Sequence, residues 1–499
     1  MTDNQTRELL EQLKAGGDVR KTLIAIRSSL SGEEEGADKE ILRQEIGLFE
    51  ELLKDDDPKV RKNAALILGE METEEVLPFL FDAYKKEETL FIRADYLKAA
   101  SGSDCRPYLP LLLEREKELE NVPAAEDAVK HAAAEKKALR ELIWQMEKPA
   151  GHRFHCPAGK VDVILLANRS LRDLTISQVS AASVRGLGAG ARFHGVDLAQ
   201  VLPIRTYTEI LFPIPSLPRI PLDPVEAGRM LAGAHLPAFL DTMHDGEGVY
   251  RYRVEIRGEK TDGKFIRHLT GALENAEPGM VNSVSDYEVE IRLLRLKEGG
   301  YVPCLKLYTI PDERFAYRKG AVADSIAPAN AAAIVRYALP LMKEGARVWD
   351  PFCGVGTMLI ERHMALGAGE MFGTDTFGDA IRMGRENAAC AGVDIHFVNR
   401  DFASFTCDRP FDEIITDMPA HRTDPLTGQK TSPERLYRSF FAGIPSMVAD
   451  GALLVLYTPC PEVTAAILEQ ESAFEVIRQT SFNERTGTGI FLVRCNVRS

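Results

Sequence analysis

Arg347-Val348-Trp349-Asp350-Pro351-Phe352-Cys353-Gly354-Val355-Gly356-Thr357-Met358-Leu359-Ile360-Glu361 is the stretch on which the reading of this chain turns. The apolar run up to Asp350 has the character of a short buried strand. From about Thr357 the spacing is that of an amphipathic helix. Between them Gly354 and Gly356 lack a Cβ, so the backbone can bend sharply and let a ligand touch it. A helix beginning directly after such a turn offers unpaired N–H groups and a partial positive charge to an anion. The carboxylate or phosphate tail of a nucleotide-like cofactor suits that geometry, although a Gly-x-Gly pair alone also fits an ordinary tight turn.

Two familiar cofactor loops are excluded. The dinucleotide fingerprint requires a third glycine where Leu359 stands, and a phosphate loop requires a lysine that does not come after Gly356. Instead a second strand-like run, 369–375, ends in Asp375, whose carboxylate can accept from two ribose hydroxyls. A third run, 395–399, leads into Arg400-Asp401-Phe402. Asp401 can accept from an adenine amino group, and Phe402 can lie against the ring. Each acid alone also suits a helix N-cap. Three acids at the ends of successive strands fall where open α/β sheets bind their ligands.

This spacing resembles the Rossmann-like S-adenosylmethionine-dependent methyltransferases. Residues 350–361 are similar to the Asp-Pro-x-Cys-Gly-Ser-Gly-Thr-x-x-Ile-Glu block of the RNA guanine-N(2) methyltransferases that carry a THUMP domain. Tyr317-Arg318-Lys319, Ser325-Ile326-Ala327-Pro328 and Ala331-Ala332-Ala333-Ile334-Val335 look like that family's lead-in to the catalytic domain. The resemblance covers about 315–460, weakens over 150–314 and is absent before. It implies S-adenosyl-L-methionine as cofactor, held by Asp350, Phe352, Cys353, Gly354, Gly356, Thr357, Asp375, Asp401 and Phe402. It also implies an RNA substrate. Cys353 equally suits the part of a small packing residue.

Ile414-Ile415-Thr416-Asp417-Met418-Pro419-Ala420-His421 stands where the family has Asn/Asp-Pro-Pro-aromatic. There a side-chain oxygen accepts from the amine to be methylated, the first proline stiffens the turn, and the ring stacks on an extruded base. This chain keeps Asp417 and Pro419, but has Met418 for the first proline and Ala420 for the aromatic. The catalytic candidates are Asp417 as acceptor, Pro419, and His421 as a substitute ring or base. Losing a stacking ring costs about 1–3 kcal/mol per base, so several substrates stay open: guanine N(2) in tRNA or rRNA, DNA adenine, or a protein glutamine amide. A methyltransferase-like scaffold that no longer turns over is the reading from a different class.

With 499 residues the chain has room for about three domains. No apolar run is long enough for a membrane span, and the polar N-terminus lacks a signal-peptide core. Eight scattered cysteines without a Cys-x-x-Cys pair suggest reduced thiols, a cytoplasmic location and no metal site. The net charge of −14 is unevenly spread: −10 over 1–148, +1 over 149–318 and −5 over the rest. This permits RNA binding without indicating it.

The expected architecture is multidomain. An all-α HEAT-like repeat region spans 1–148, an α+β (THUMP-like, ferredoxin-like) substrate-binding domain 149–314, and an α/β Rossmann-like methyltransferase domain 315–499. In the first, Asp57 caps and Pro58 opens a helix with an apolar stripe of Val60, Ala64, Ile67 and Leu68, which Gly69 stops. The same shape returns about 32 residues later at 91–102. Such repeats suit a protein partner, or a helical cap that only stabilises its neighbour. Glu33-Glu34-Glu35-Gly36 reads as a solvated loop, and 148–151 as a boundary. In the middle third, strands at 161–167, 207–213 and 249–257 surround a Pro-rich connector at 213–224 and helices near 225–243 and 263–275. The runs 287–296 and 301–310 form a hairpin through Gly299 and Gly300. Arg251, Arg253, Arg257, Arg292 and Arg295 alternate on strands, where they could grip phosphates or simply face solvent. A fifth strand at 452–457 and a closing antiparallel pair at 474–481 and 488–495 complete the last domain.

Overall fold

In the computed structural model, residues 3–30, 35–119, 126–147, 151–260, 262–423 and 430–497 are described. They divide into two compact units, 1–151 and 152–499. Glu33, Glu34 and residues 148–150 lie outside the described residues, whereas Glu35 and Gly36 open the helix Glu35–Arg43 rather than forming a loop.

The first unit is helical throughout its described residues. Asp57 accepts the Lys59 N–H at 2.8 Å and Pro58 occupies the first turn of Pro58–Glu70, because a proline there removes no helical hydrogen bond. The stripe of Val60, Ala64, Ile67 and Leu68 is buried. Gly69 does not stop this helix. A Cβ there would lie 2.6 Å from Ala99 Cα, so the glycine lets the helix Leu90–Ala100 approach closely. An arginine recurs in successive repeats and reaches forward: Arg27 to Asn63, Arg61 to Glu87, and Arg93 to buried Glu135. Arg27 marks one more repeat than the sequence made plain.

In the second unit an eight-stranded sheet runs in the order Ser183–Leu187, Gly190–Val196, Val161–Ala167, Tyr207–Pro213, Tyr301–Leu307, Val289–Arg295, Tyr250–Arg257, Met280–Asn282. Its two halves meet where Leu305 pairs with Phe212. The helix expected near 225–243 is two, Pro224–Ala232 and Leu236–Asp241, separated by His235 at φ 49°. The strand arginines are not a phosphate-gripping row. Arg292 is 2% exposed between Glu209 and Glu290, Arg253 pairs with Glu290, Arg295 with Glu259 and Arg257 with Glu255. Neighbouring carboxylates neutralise these four.

The second sheet of this unit has seven strands: β1 (Val348–Asp350), β2 (Met371–Asp375), β3 (His396–Asn399), β4 (Phe411–Asp417), β5 (Val448–Thr458), β6 (Phe474–Asn483) and β7 (Thr488–Cys495), ordered 3-2-1-4-5-7-6. The first five run parallel, and β7 inserts antiparallel between β5 and β6. Helices α1 (Pro328–Ala338), α2 (Thr357–Ala365), α3 (Gly378–Ala391), α4 (Pro433–Gly443) and α5 (Pro461–Leu468) accompany it. Separate apolar cores gathered around Ile415, Val455 and Leu492 and around Trp349, Ile414 and Leu454 show why the central strands are apolar on both faces.

Glu361 on α2 joins the two sheets. It is 1% exposed and accepts both guanidinium arms of Arg205, at 2.7 and 2.8 Å, together with the Tyr317 hydroxyl at 2.8 Å. Arg314 adds donations to the carbonyls of Ile204 and Tyr207.

Gly69→Ala should destabilise the helical unit by about 1–3 kcal/mol, the usual range for overpacking. Thermal unfolding monitored by circular dichroism would read this. An unchanged melting profile would show that the two helices can part without loss.

Candidate functional site

The parallel register carries the strand-end acids to one rim of the seven-stranded sheet. Asp350 ends β1 and is buried. Its Oδ1 accepts the Phe352 N–H at 3.1 Å and the Thr416 hydroxyl at 2.6 Å. Burial pushes its carboxyl up to about 8, opposed by those two hydrogen bonds and reinforced by the charges of Asp417 and Asp375.

Gly354 and Gly356 sit at φ 49° and 79°, in the left-handed region that glycine enters without strain. A Cβ on Gly356 would strike the Phe397 ring at 2.7 Å, so the turn lies directly against β3. No side chain caps α2, and the buried Thr357 hydroxyl in its first turn has no hydrogen-bond partner among the described residues. Cys353 packs inward, and a Cβ at Gly373 would stand 2.9 Å from its Sγ. The thiol is therefore a spacer between β1 and β2.

Asp375 joins the turn to β2. One carboxylate oxygen accepts the Gly354 N–H at 2.9 Å and the other the Phe377 N–H at 2.8 Å. Asp401 accepts the Ala403 N–H at 2.8 Å and opens the 3-10 turn Phe402–Ser404, which is the capping role open to a strand-end acid. Phe402 is buried edge-to-face against Phe352, at 5.1 Å, so its ring presents no open platform. Phe352 itself is half-buried. Reasoning from sequence passed over Phe377, two residues beyond Asp375 and 52% exposed. An apolar residue two places after a strand-end acid was the available signal.

Asp417 ends β4. It is half-buried and accepts no hydrogen bond from the described residues. Burial, then the charge of Asp324, pushes its carboxyl up to about 7. Met418 is buried in the core, and its N–H donates to the Tyr457 carbonyl at 2.8 Å. A proline could not make that bond, so this chain fixes the turn through the β4–β5 ladder. The Pro419 carbonyl accepts the Tyr437 hydroxyl at 3.2 Å. His421 is exposed beyond Ala420, where the chain enters a short pairing of 422–423 with 430–431.

Asn387 on α3 is another residue that sequence reasoning missed. Fully buried, it accepts from the N–H groups of Lys319 and Gly320, at 2.9 and 3.1 Å, and donates to the carbonyls of Gly320 and Val355, at 3.0 and 3.2 Å. One side chain thus ties the lead-in segment to the glycine turn. Its signal lay only in the polarity of one position on an apolar helix face.

Comparison with known proteins agrees with this geometry. Residues 316–484 match the RMKL-like methyltransferase domain family, and residues 8–101 match HEAT repeats. A tRNA (guanine(10)-N2)-dimethyltransferase from Methanothermobacter thermautotrophicus is 32% identical over 119 residues, 24% of this chain. The match spans 34% of that curated relative's length. TrmN from Thermus thermophilus superposes with a TM-score of 0.51 at 20% identity, covering 67% of this chain and 99% of that one. A possible methylase from Clostridium difficile 630 does so at 0.50 and 15% identity, covering 68% and 98%. SMU.472, a putative methyltransferase complexed with SAH, gives 0.50 at 14% identity, covering 68% and 99%. At these identities the structural matches establish the fold. Residues 316–484 are thus similar to the RMKL-like methyltransferase domain family, and residues 8–101 to HEAT repeats.

Proposed function

We propose that this chain is an S-adenosyl-L-methionine-dependent methyltransferase that modifies an exocyclic base amine, guanine N(2) of a tRNA or rRNA. The observation that carries this reading is Asp417: a half-buried carboxylate with no hydrogen-bond partner among the described residues, at the end of β4, electrostatically in range of Asp350 beside the glycine turn. The named substrate of the 32%-identical relative supports guanine.

The residues present fit the cofactor. The turn at Gly354–Gly356 admits close backbone approach, the Thr357 hydroxyl lacks a partner among the described residues, and Asp375 stands at the rim for ribose hydroxyls. Phe377 offers an exposed face for the adenine, with half-buried Phe352 also at this rim. The bound donor supplies an electrophilic methyl group on a cationic sulfonium. Asp417 accepts an N–H of the target amine and so aims its lone pair, while Met418 and the Tyr437 contact keep the loop from drifting. The acidic first unit, at −10 over residues 1–148, repels a phosphate backbone, so its repeats suit a protein partner. Among the described residues no helix is long and apolar enough to cross a membrane, and an RNA substrate of this kind fits a cytoplasmic setting.

Titration calorimetry with S-adenosylmethionine should show binding, and none at millimolar donor would defeat the reading. Asp417→Ala should keep that affinity and lose at least about 100-fold in turnover. Wild-type turnover in the variant would move the acceptor elsewhere. Because an ionised Asp417 is the stronger acceptor, and its pKa is raised to about 7, wild-type turnover should climb with pH through 7. Asp417→Asn should flatten that limb. Phe377→Ala should weaken donor binding by about 1–3 kcal/mol, the worth of one stacking face. Unchanged affinity would place the adenine on another surface.

A further inference from the structure

The helical unit carries its charge unevenly. Residues 1–148 are −10 overall, yet the helices Val19–Ser29, Pro58–Glu70 and Leu90–Ala100 carry formal charges of +3, +2 and +1. These helices stack in order, since Arg27 donates to Asn63 and Gly69 lies against Ala99. Each turns one stripe into the core, where Leu23 and Ile26, Val60 and Ile67, and Ile92 and Tyr96 are buried. The opposite stripe has a similar make-up on all three, at positions three or four residues apart. On the first helix Lys21 and Ile24 are exposed there. On the second Lys59 is exposed, with Lys62 and Leu66 half-buried. On the third Phe91 and Lys98 are exposed on either side of Asp95. Ile24 and Phe91 keep 47% and 42% of their surface open, unusual for apolar side chains this large. Lys62 reaches across to Asp95 at 2.9 Å, so the second and third stripes join and that carboxylate is already paired. Among the described residues no carboxylate pairs with Lys21 or Lys59.

We infer that this basic and apolar surface docks an acidic amphipathic helix of a partner protein. The inference rests on the proposal that the repeats take a protein partner, and adds the face and its chemistry. Packed helices lie about 8–10 Å apart, and seven residues of α-helix rise about 10.5 Å. A partner helix lying across the stack therefore sets an apolar side chain against Ile24, Leu66 and Phe91 in turn, at every seventh residue. Acids between those positions meet the lysines. The apolar residue on each helix is what favours this occupant over RNA, because a phosphate gains nothing from Ile24 or Leu66. The −10 of the whole unit also opposes a long polyanion, whereas a short acidic segment meets the local lysines alone.

The test is fluorescence anisotropy of the full chain with labelled tRNA and with two designed helical peptides. Both peptides carry leucine at every seventh position, one with glutamate at the flanking positions and the other with lysine. The glutamate peptide should bind, and more weakly as salt rises. Reversing three lysines together, by Lys21→Glu, Lys59→Glu and Lys98→Glu, should cost at least about 10-fold, and so should Phe91→Ala. Arginine at the same three lysine positions should keep the affinity, and an unchanged circular-dichroism melting profile shows that each variant is folded. If charge reversal unfolds the repeats, glutamine at those positions is read instead. Affinity for tRNA should be the same in every variant. A fall in tRNA affinity on charge reversal overturns the inference and gives the lysines to phosphates. A glutamate peptide that does not bind, or whose binding neither variant weakens, overturns it too. Preference for the lysine peptide also overturns it, but leaves the repeats a protein partner on their acidic side, so failure of the face and failure of the partner reading are told apart.

Discussion

Asp375 accepting the Gly354 N–H, at 2.9 Å, is the contact around which the seven-stranded half of the second unit is organised. It fastens the end of β2 to the turn after β1, and it can form because the parallel register places Asp350 opposite Gly373, two residues short of Asp375. The same register adds Thr416 and Asp417 from β4 to this rim, where Thr416 donates to Asp350. The result is a concentration of carboxylates in a poorly solvated rim. Burial and neighbouring carboxylate charge hold Asp350 near 8 and Asp417 near 7. A positively charged group placed at this rim would relieve that repulsion.

Much of this was legible in the sequence because it depends on local rules. A glycine turn between an apolar run and an amphipathic helix, acids at successive strand ends, and a final antiparallel pair define the sheet without long-range knowledge, and the 3-2-1-4-5-7-6 order agrees with them. What escaped was set by packing partners distant in sequence. Gly69 looked like a helix stop, but its role is fixed by Ala99, thirty residues on. The strand arginines looked available for phosphate until Glu209, Glu259 and Glu290 were seen beside them. Phe402 looked like a base platform, yet it packs against Phe352 and Phe440, while exposed Phe377 has the open face. Met418 looked like decay of an acceptor motif. Its N–H and its buried side chain show an alternative way of fixing the same turn.

The clamp at Glu361 gives the eight-stranded sheet a mechanical role. Arg205 comes from that sheet's half of the unit, Tyr317 from the lead-in, and Glu361 from the helix that starts at the glycine turn. A buried carboxylate with two donors from one arginine and a third from a tyrosine hydroxyl has little freedom to rearrange, because releasing the arginine strands a charge. The clamp therefore holds the eight-stranded sheet at a fixed reach from the glycine turn. The helical repeats form a separate unit of opposite electrostatic character to an RNA grip.

The central claim is the identity of the acceptor atom. The most direct measurement is mass spectrometry of nucleosides from tRNA and rRNA incubated with the protein and methyl-deuterated S-adenosylmethionine. The account predicts deuterated N(2)-methylguanosine. Label confined to adenosine, or appearing only in protein or DNA fractions, would contradict it.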